Sequence, residues 1–330
     1  MERSPKAASI VGALAGTMCL YSITVLSLTL TGNNIGPISL AATAAPEVAV
    51  LGAFFAGVAG LWVRKTTVIA VAGIVTVGWL SFFSALVVQN RNLIEPPSAG
   101  GDLTVVSSNL LKDNQNLEAI DRVLERDADV VVTVETSHGW RKAFERDRRW
   151  TQKYSIAGGV EEEVGRDVVI WTTEEVEVLK VDTVKFYDLT APVVTIQSDN
   201  TEISILGIHT EAPRDRQAQT RWELQLEAIA EWVKDKNCDN LILAGDFNAS
   251  LLHGEMQNIL KYSGSVGAAF GQPTVGSWPT NKFTAGIKLG LDHHLIAGGV
   301  RTSFFEAFKV DGSDHSGIEG HYSTQTEKCR

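Results

Sequence analysis

The distribution of charge near the N-terminus most constrains what this chain can fold into. No Asp, Glu, Lys or Arg occurs from Ala7 through Pro46, and none from Thr66 through Asn90. An apolar helix of about 20 residues crosses a hydrocarbon layer about 30 Å thick. Two spans are therefore expected, Ala7 to Leu30 and Thr66 to Val88. The apolar run between them, Pro46 to Val63, is shorter but still crosses with little tilt; the alternative for it is a re-entrant or buried segment. The reading is three transmembrane helices, at about 7–30, 46–63 and 66–88. "AATAA" (Ala41 to Ala45) has the form of a signal-peptidase site. The apolar run before it is longer than the about 7–15 residues of a signal core, and further apolar runs follow, so the anchor is expected to be retained.

Basic residues set the orientation. Arg3 and Lys6 precede the first span, Arg64 and Lys65 separate the second from the third, and Thr31 to Pro46 has none. The positive-inside rule puts the N-terminus and Arg64–Lys65 in the cytoplasm. Three crossings then carry the rest of the chain outside; two would leave it inside. The expected localisation is a multi-pass cell-membrane protein with an extracytoplasmic C-terminal domain.

That domain is acidic. Of 29 Lys and Arg and 39 Asp and Glu, only Arg3, Lys6, Arg64, Lys65, Glu2 and Glu47 fall in residues 1–90, so the remainder carries an acidic excess of 12. A nucleic-acid footprint is usually basic, and no nucleic-acid partner is favoured. Three cysteines are present. Cys19 lies in the first span; Cys238 and Cys329 fall outside it, in a compartment where a disulfide persists. With no CxxC pair, a thiolate zinc site is excluded.

Residues 91–101, containing Pro96–Pro97 and Gly100–Gly101, read as a linker. From Asp102 to Arg330 strand and helix signals alternate. "LTVVSSNL" (Leu103 to Leu110), "ADVVVTVET" (Ala128 to Thr136), "RDVVIWTT" (Arg166 to Thr173) and the period-two "VEVLKVDTV" read as strands. Val193 to Pro213 reads as a hairpin turning at Asp199–Asn200. Further strands are expected near Leu241, Leu289 to Ile296 and Ser303 to Phe308. Helical spacing marks Asn116 to Arg126, Gly139 to Arg149 (charged, and expected to be exposed on most sides), Gln217 to Lys234 and Glu255 to Leu260. Hairpins beside helices point to mixed sheets covered by helices.

The strands end alike. Apolar runs stop at Asn109, Glu135, His209, Asp246 with Asn248, and Asp292, and "SDHSG" supplies Asp314 and His315. Such endings converge if the strands share one sheet edge. The residue types suit phosphoester hydrolysis assisted by a hard cation. Mg²⁺ takes oxygen ligands, commonly one or two carboxylates plus phosphate and water, and Glu135 beside Asn109 offers them. Imidazole and carboxamide donate to phosphate oxygens, and Asp246 can position or deprotonate water. His315 paired with Asp292 would be held oriented and protonated.

At these residues the chain resembles the endonuclease/exonuclease/phosphatase superfamily, the deoxyribonuclease I-like fold, over roughly Asp102 to Tyr322. The resemblance rests on Asn109 in "SSNLL", Glu135 in "VTVET", His209 in "GIHTEAP", Asp246 and Asn248 in "GDFN", Asp292 in "LDHHLI" and Asp314–His315 in "SDHSG". It implies an α/β four-layer sandwich, two mixed β-sheets flanked by helices, preceded here by the three spans. It implies Mg²⁺ (or Mn²⁺) held by Glu135, with Asn109 and Asp314 near metal, phosphate or water. Asp246 would orient the attacking water, Asn248 and His209 would hold phosphate, and His315 with Asp292 would stabilise the transition state. Val134 stands where many members have Gln, Leu111 where some nucleases have an acid, and His209 where abasic-site endonucleases have Tyr. The spans, "HTEAPRDRQAQTRWELQL" and "SWPT" (Ser277 to Thr280) are similar to the membrane-bound branch typified by vancomycin/teicoplanin-resistance membrane proteins. That branch implies a lipid-linked phosphate or pyrophosphate substrate, or a phosphodiester lipid, at the bilayer. The alternatives are an extracytoplasmic Mg²⁺-dependent nuclease and a non-catalytic membrane module of the same fold.

Overall fold

The structure is a computed structural model, and it describes residues 5–31, 46–64, 66–97, 102–160, 167–198, 201–236, 239–273, 276–281 and 288–325. Cys238, Cys329 and the turn positions Asp199 and Asn200 lie outside the described residues. The chain divides into two compact units, Met1–Leu86 with Leu252–Gly254, and Val87–Leu251 with Glu255–Arg330.

The first unit is built on helices α1 (Pro5–Thr31), α2 (Pro46–Val63) and α3 (Thr66–Asn90). Two stretches, Ala8–Leu30 and Thr66–Leu93, are long and apolar enough to cross a membrane; Ala49–Val63 is a shorter apolar helix. Small side chains at Ala15, Ala53, Ala56 and Ala72 are buried, while Leu14, Leu20, Phe54, Ile74 and Leu80 face outward. Small residues at the contact let helix backbones approach closely, the packing that serves where no hydrophobic drive brings helices together. Buried polar contact also joins the helices: the Ser22 hydroxyl donates to the Ala49 carbonyl (2.7 Å) and accepts from Trp79 Nε1 (3.3 Å).

The second unit holds two six-stranded mixed sheets flanked by helices. The first sheet has strands in the order β11 (Val300–Lys309), β12 (Ser316–Thr324), β1 (Leu103–Asn109), β2 (Val130–Val134), β4 (Val168–Thr173) and β3 (Tyr154–Val160). The second runs β5 (Val178–Phe186), β6 (Leu189–Ser198), β7 (Thr201–His209), β8 (Leu241–Asp246), β10 (Asp292–Ala297) and β9 (Gly264–Ser265). Val105, Val130, Val132, Ile170, Val194, Ile205, Ile242 and Ile296 belong to one buried cluster that joins both sheets. All five residues of β2 are buried, as expected of a strand covered on both faces.

Helix α4 (Glu118–Leu124) covers the outer face of the first sheet, with Ile120 and Val123 in a cluster that includes Val106 and Val131. The charged stretch expected as one exposed helix is two: α5 (His138–Arg146) and α6 (Arg148–Lys153). Asp147 divides them, taking an extended backbone and accepting from the N–H groups of Arg149 and Trp150 as an N-cap. Most positions of the stretch face solvent, as expected, but one stripe does not. Trp140, Phe144 and Trp150 are buried, and the Phe144 and Trp150 rings lie 5.0 and 5.3 Å from Trp171. On the second sheet α7 (Arg216–Asp235) buries Trp222, Leu226, Ile229 and Val233, the stripe expected from sequence, and Asp215 caps its start.

Buried polar contacts also tie the sheets together. His294 on β10 shares hydrogen bonds with Tyr322 of β12 (Nδ1 to OH, 2.6 Å) and Ser107 of β1 (Nε2 to Oγ, 2.9 Å). Burial, then the neighbouring His293, holds the His294 imidazole down at about 3. An imidazole depressed in the fold but near 6.5 when unfolded adds stability at neutral pH. That contribution is lost as pH falls below about 6.5 toward the folded value, because only the unfolded chain takes up the proton. Denaturant unfolding followed by Trp fluorescence is expected to show wild-type stability declining from pH 6.5 to 4. His294→Gln should cost about 1–3 kcal/mol at neutral pH through imperfect pairing and should flatten that decline. An equally steep decline in the variant would exclude His294 as its source.

Candidate active site

Two parallel pairs build the site. β1 runs parallel to β2, with Asn109 opposite Val134, and β7 runs parallel to β8, with His209 opposite Asp246. The C-terminal ends of these four strands therefore carry Asn109, Glu135, His209 and Asp246. β10 is antiparallel to β8, so its first residue, Asp292, stands opposite Asp246. His315 immediately precedes β12, which pairs antiparallel with β1.

Local conformation explains the motif. Gly245 has φ 138°, and a Cβ there would stand 2.1 Å from the Ile208 carbonyl oxygen, so the Gly of "GDFN" lets β8 lie close to β7. Asn248 has φ 46°, a left-handed conformation that Asn tolerates. Its backbone N–H donates to Asp246 Oδ1 (2.8 Å), while its side-chain amide donates to the Thr210 carbonyl (3.0 Å). Glu135 (φ 55°) and Leu111 (φ 59°) are also left-handed. Strained backbone of this kind is held in place only where its surroundings compel it. Glu135 Oε2 accepts from the Lys112 N–H (2.8 Å), and Asn109 Oδ1 accepts from the Leu111 N–H (3.0 Å).

The side chains expected from sequence come together. The Asn109 amide donates to both Asp246 Oδ2 (3.1 Å) and Glu135 Oε1 (3.4 Å). His209 Nε2 lies 3.9 Å from Glu135 Oε1. His315 Nδ1 pairs with Asp292 Oδ2 at 2.8 Å, leaving Nε2 at 3.7 Å from Asp246 Oδ2. Asp314 sits beside this group; its Oδ2 accepts from Trp278 Nε1 (2.9 Å), and its buried Oδ1 has no hydrogen-bond partner among the described residues. Asn109, His209, Asp246, Asp292 and His315 are all buried.

Charge is unevenly shared among these groups. Burial opposes charge on His315, yet Asp292, then Asp246, outweigh it and raise the imidazole to about 10. It is therefore protonated at neutral pH. Burial, followed by repulsion from Asp292, pushes the Asp246 carboxyl well above the usual carboxylate range, against the pull of His315 and the bonds from Asn248 and Asn109.

A cation fits this donor set. Asp246, Asp292 and Asp314 act on one imidazolium, and Glu135 stands on the far side of Asn109, leaving an excess of negative charge that a divalent ion offsets. Asp246, Asp292 and His315 offer ligand atoms within 4.8 Å of one another. However, a protonated imidazole has no lone pair to give, and Nδ1 is already engaged by Asp292. The carboxylate oxygens of Glu135 and Asp246, either side of the Asn109 side chain, suit a hard cation better.

Residues that the sequence did not single out hold the group in place. Ser313 Oγ donates to the Asn109 carbonyl (2.7 Å) and accepts from the His315 backbone N–H (3.0 Å), so it fixes the end of β1 to the backbone that carries the imidazole. Thr210 N–H donates to the Asp246 carbonyl (3.1 Å). A lone Ser or Thr carries no signal in sequence; "SDHS" marks Ser313 only by its neighbours.

A two-sheet sandwich with acids, amides and imidazoles at its parallel strand ends defines a hydrolase acting on phosphoric ester bonds, of a kind that uses divalent metal. The chain belongs to the Endonuclease/Exonuclease/phosphatase family, whose model matches residues 100–315. Among solved structures it is similar to truncated TDP2 from Caenorhabditis elegans (16% identity, 68% of this chain and 98% of that chain covered, TM-score 0.56). It is also similar to a humanized D. rerio TDP2 (19%, 68% and 99%, TM-score 0.56) and to an endonuclease/exonuclease/phosphatase from Bacteroides vulgatus (15%, 68% and 99%, TM-score 0.53). At these identities the likeness is one of fold. No curated protein matches the sequence.

Proposed function

We propose that the protein is a membrane-anchored, Mg²⁺- or Mn²⁺-dependent phosphoesterase acting outside the cytoplasm on a lipid-linked phosphate or pyrophosphate. The observation that carries the chemistry is the buried Asp292–His315–Asp246 series beside Glu135 and Asn109. Glu135 and Asn109, with Asp314, would hold the ion or its water. Bound there, the ion offsets charge on the phosphate oxygens. His209 and Asn248 orient the phosphate. Asp246 orients the attacking water and takes its proton as oxygen adds to phosphorus and the ester bond breaks. A carboxyl raised toward neutral pH suits that role. His315, kept charged by Asp292, faces the charge that develops on the transferred group.

Anchoring rests on apolar helices in the same chain, and we read all three, α1, α2 and α3, as spans. Arg3, Lys6 and Arg64–Lys65 argue for a cytoplasmic N-terminus. This is the architecture of the membrane-bound branch that the sequence resembles. A substrate in the bilayer is concentrated near a tethered enzyme, so modest intrinsic affinity suffices. The acidic domain attracts a long polyanion poorly.

Two measurements test this reading. A phosphatase reporter that works only outside the cytoplasm is expected to be active after Arg330 and silent at Arg64; the opposite pattern inverts the topology. The full-length protein in liposomes is expected to release phosphate from polyprenyl pyrophosphate, with phosphodiester lipids cleaved second. Rapid nicking of plasmid DNA with no product from any lipid overturns the lipid assignment and favours a nuclease.

A further inference from the structure

The segment Ser277–Thr280, "SWPT", takes no part in the chemistry above, yet it holds both halves of the His315 pair. The Ser277 hydroxyl, fully buried, accepts from the N–H groups of Leu291 (3.0 Å) and Asp292 (3.1 Å). The Ser277 carbonyl accepts from the Ser316 N–H (2.8 Å). Trp278 Nε1 donates to Asp314 Oδ2 (2.9 Å), and the Thr280 N–H donates to the Asp314 carbonyl (2.9 Å). The Thr280 hydroxyl donates to the Ser313 carbonyl (3.1 Å). The segment is itself fastened, since the Trp278 N–H donates to the Leu289 carbonyl (2.9 Å) and the Trp278 carbonyl accepts from the Leu289 N–H. One short piece of chain thus sets the start of β10, which carries Asp292, and the turn that carries Asp314 and His315.

Within this brace Trp278 has a specific task. An indole N–H is a donor only, so it selects one carboxylate oxygen and cannot serve as an acceptor. With Oδ2 engaged, Asp314 can turn neither oxygen freely, and the buried Oδ1 is the one that has no protein partner among the described residues. The Trp278 ring also lies 6.4 Å from the His315 ring, inclined at 46°. Simple packing of an aromatic ring would not require its nitrogen to meet the carboxylate adjoining the imidazolium.

The geometry points to Trp278 as a positioning residue for phosphoester hydrolysis: its N–H fixes the Asp314 carboxylate so that Oδ1 is presented beside His315. This rests on reading Asp314 and His315 as working groups of the site. The consequence is that Trp278 acts through Asp314. Removing the indole N–H should matter only while Asp314 retains its carboxylate.

The test is a double-mutant cycle on the full-length protein in detergent micelles, with bis-p-nitrophenyl phosphate as the probe. Trp278→Phe keeps an aromatic ring and is expected to lower kcat by about tenfold or more, the usual effect of losing an orienting partner. KM should stay within about twofold, since uniform binding is untouched. In an Asp314→Asn background the same change is expected to cause little further loss. Replacing Trp278 by β-(3-benzothienyl)alanine, which keeps the fused ring and removes only the N–H, should show the same non-additivity and serves if Trp278→Phe does not fold. Multiplicative losses, or a wild-type kcat in Trp278→Phe while Asp246→Asn and Asp314→Asn are impaired, overturn this inference and leave the active-site reading standing. Wild-type turnover in Asp246→Asn and Asp314→Asn as well overturns the site reading, and this inference with it.

Discussion

Replacing Asp246 by Asn is expected to lower turnover by about 10²–10⁴-fold, the range for loss of a general base, without loss of fold. Asn matches Asp in size, and its carbonyl oxygen can still accept the Asn248 N–H that meets Oδ1 at 2.8 Å. What disappears is the charge at Oδ2, the atom that faces both His315 Nε2 (3.7 Å) and the Asn109 amide (3.1 Å). That charge is held at a cost, since burial and the neighbouring Asp292 both oppose it. The variant should therefore unfold at the same temperature as wild type or a higher one, because active sites commonly trade stability for function. kcat on bis-p-nitrophenyl phosphate and a thermal melt on the same preparation measure both. Wild-type turnover in the variant would remove Asp246 from the reaction.

Metal removal should be as severe. EDTA is expected to take activity to background, with Mg²⁺ or Mn²⁺ restoring it. Glu135→Gln is expected to raise the metal concentration for half-maximal activity by well over about tenfold, as even indirect partners of a ligand alter affinity by that much. Glu135 is the apt site for this test because its carboxylate is aimed by its surroundings. Its backbone is left-handed, and Oε2 is tied to Lys112 N–H, which directs Oε1 toward Asn109 and His209. Activity that survives chelation, or a Glu135→Gln enzyme with an unchanged metal requirement, would place the cation elsewhere.

The parts of the fold that were legible in sequence are those where one periodicity dominates. The strand carrying Val130 to Val134 is buried on both faces and reads as a continuous apolar run; the Trp222 stripe of α7 repeats at helical spacing. The strand ends were legible for a topological reason. In parallel neighbours the C-terminal ends lie side by side, so Asn109 and Glu135, like His209 and Asp246, meet without any long-range information. What sequence concealed depends on contacts between distant positions. Asp147 looks like one more charge in a charged helix, and only the seating of Phe144 and Trp150 against Trp171 makes it a break. β3 contains Gly158 and Gly159 and alternates poorly, so its place at the sheet edge is set by pairing with β4. Ser313 reaches Asn109 across 204 positions, and the hydroxyls of Ser277 and Thr280 likewise act on residues that no local pattern connects to them.

Hydropathy and hydrogen bonding draw the edge of the hydrolase unit in different places. By polarity it begins near Asp102, after the prolines and glycines. By its bonds it begins at Val87, inside the apolar helix. Asn90 Oδ1 accepts the buried Ser265 N–H (2.8 Å), Ile94 bridges Thr302, and the Glu95 N–H donates to the Thr302 carbonyl (2.9 Å). Ser265 in turn lies in β9, which pairs with the strand that opens at Asp292. A protease cutting in the polar stretch after Pro97 would therefore strip these pins from the released enzyme and leave the Ser265 amide without its acceptor. Only a cut on the N-terminal side of Asn90 would keep them all, with the end of the apolar helix still attached; one between Asn90 and Ile94 would again leave the Ser265 amide without its acceptor. The hydrolase unit begins, in mechanical terms, in a hydrophobic stub, and a released form that keeps all its bonds must carry that stub as part of its fold.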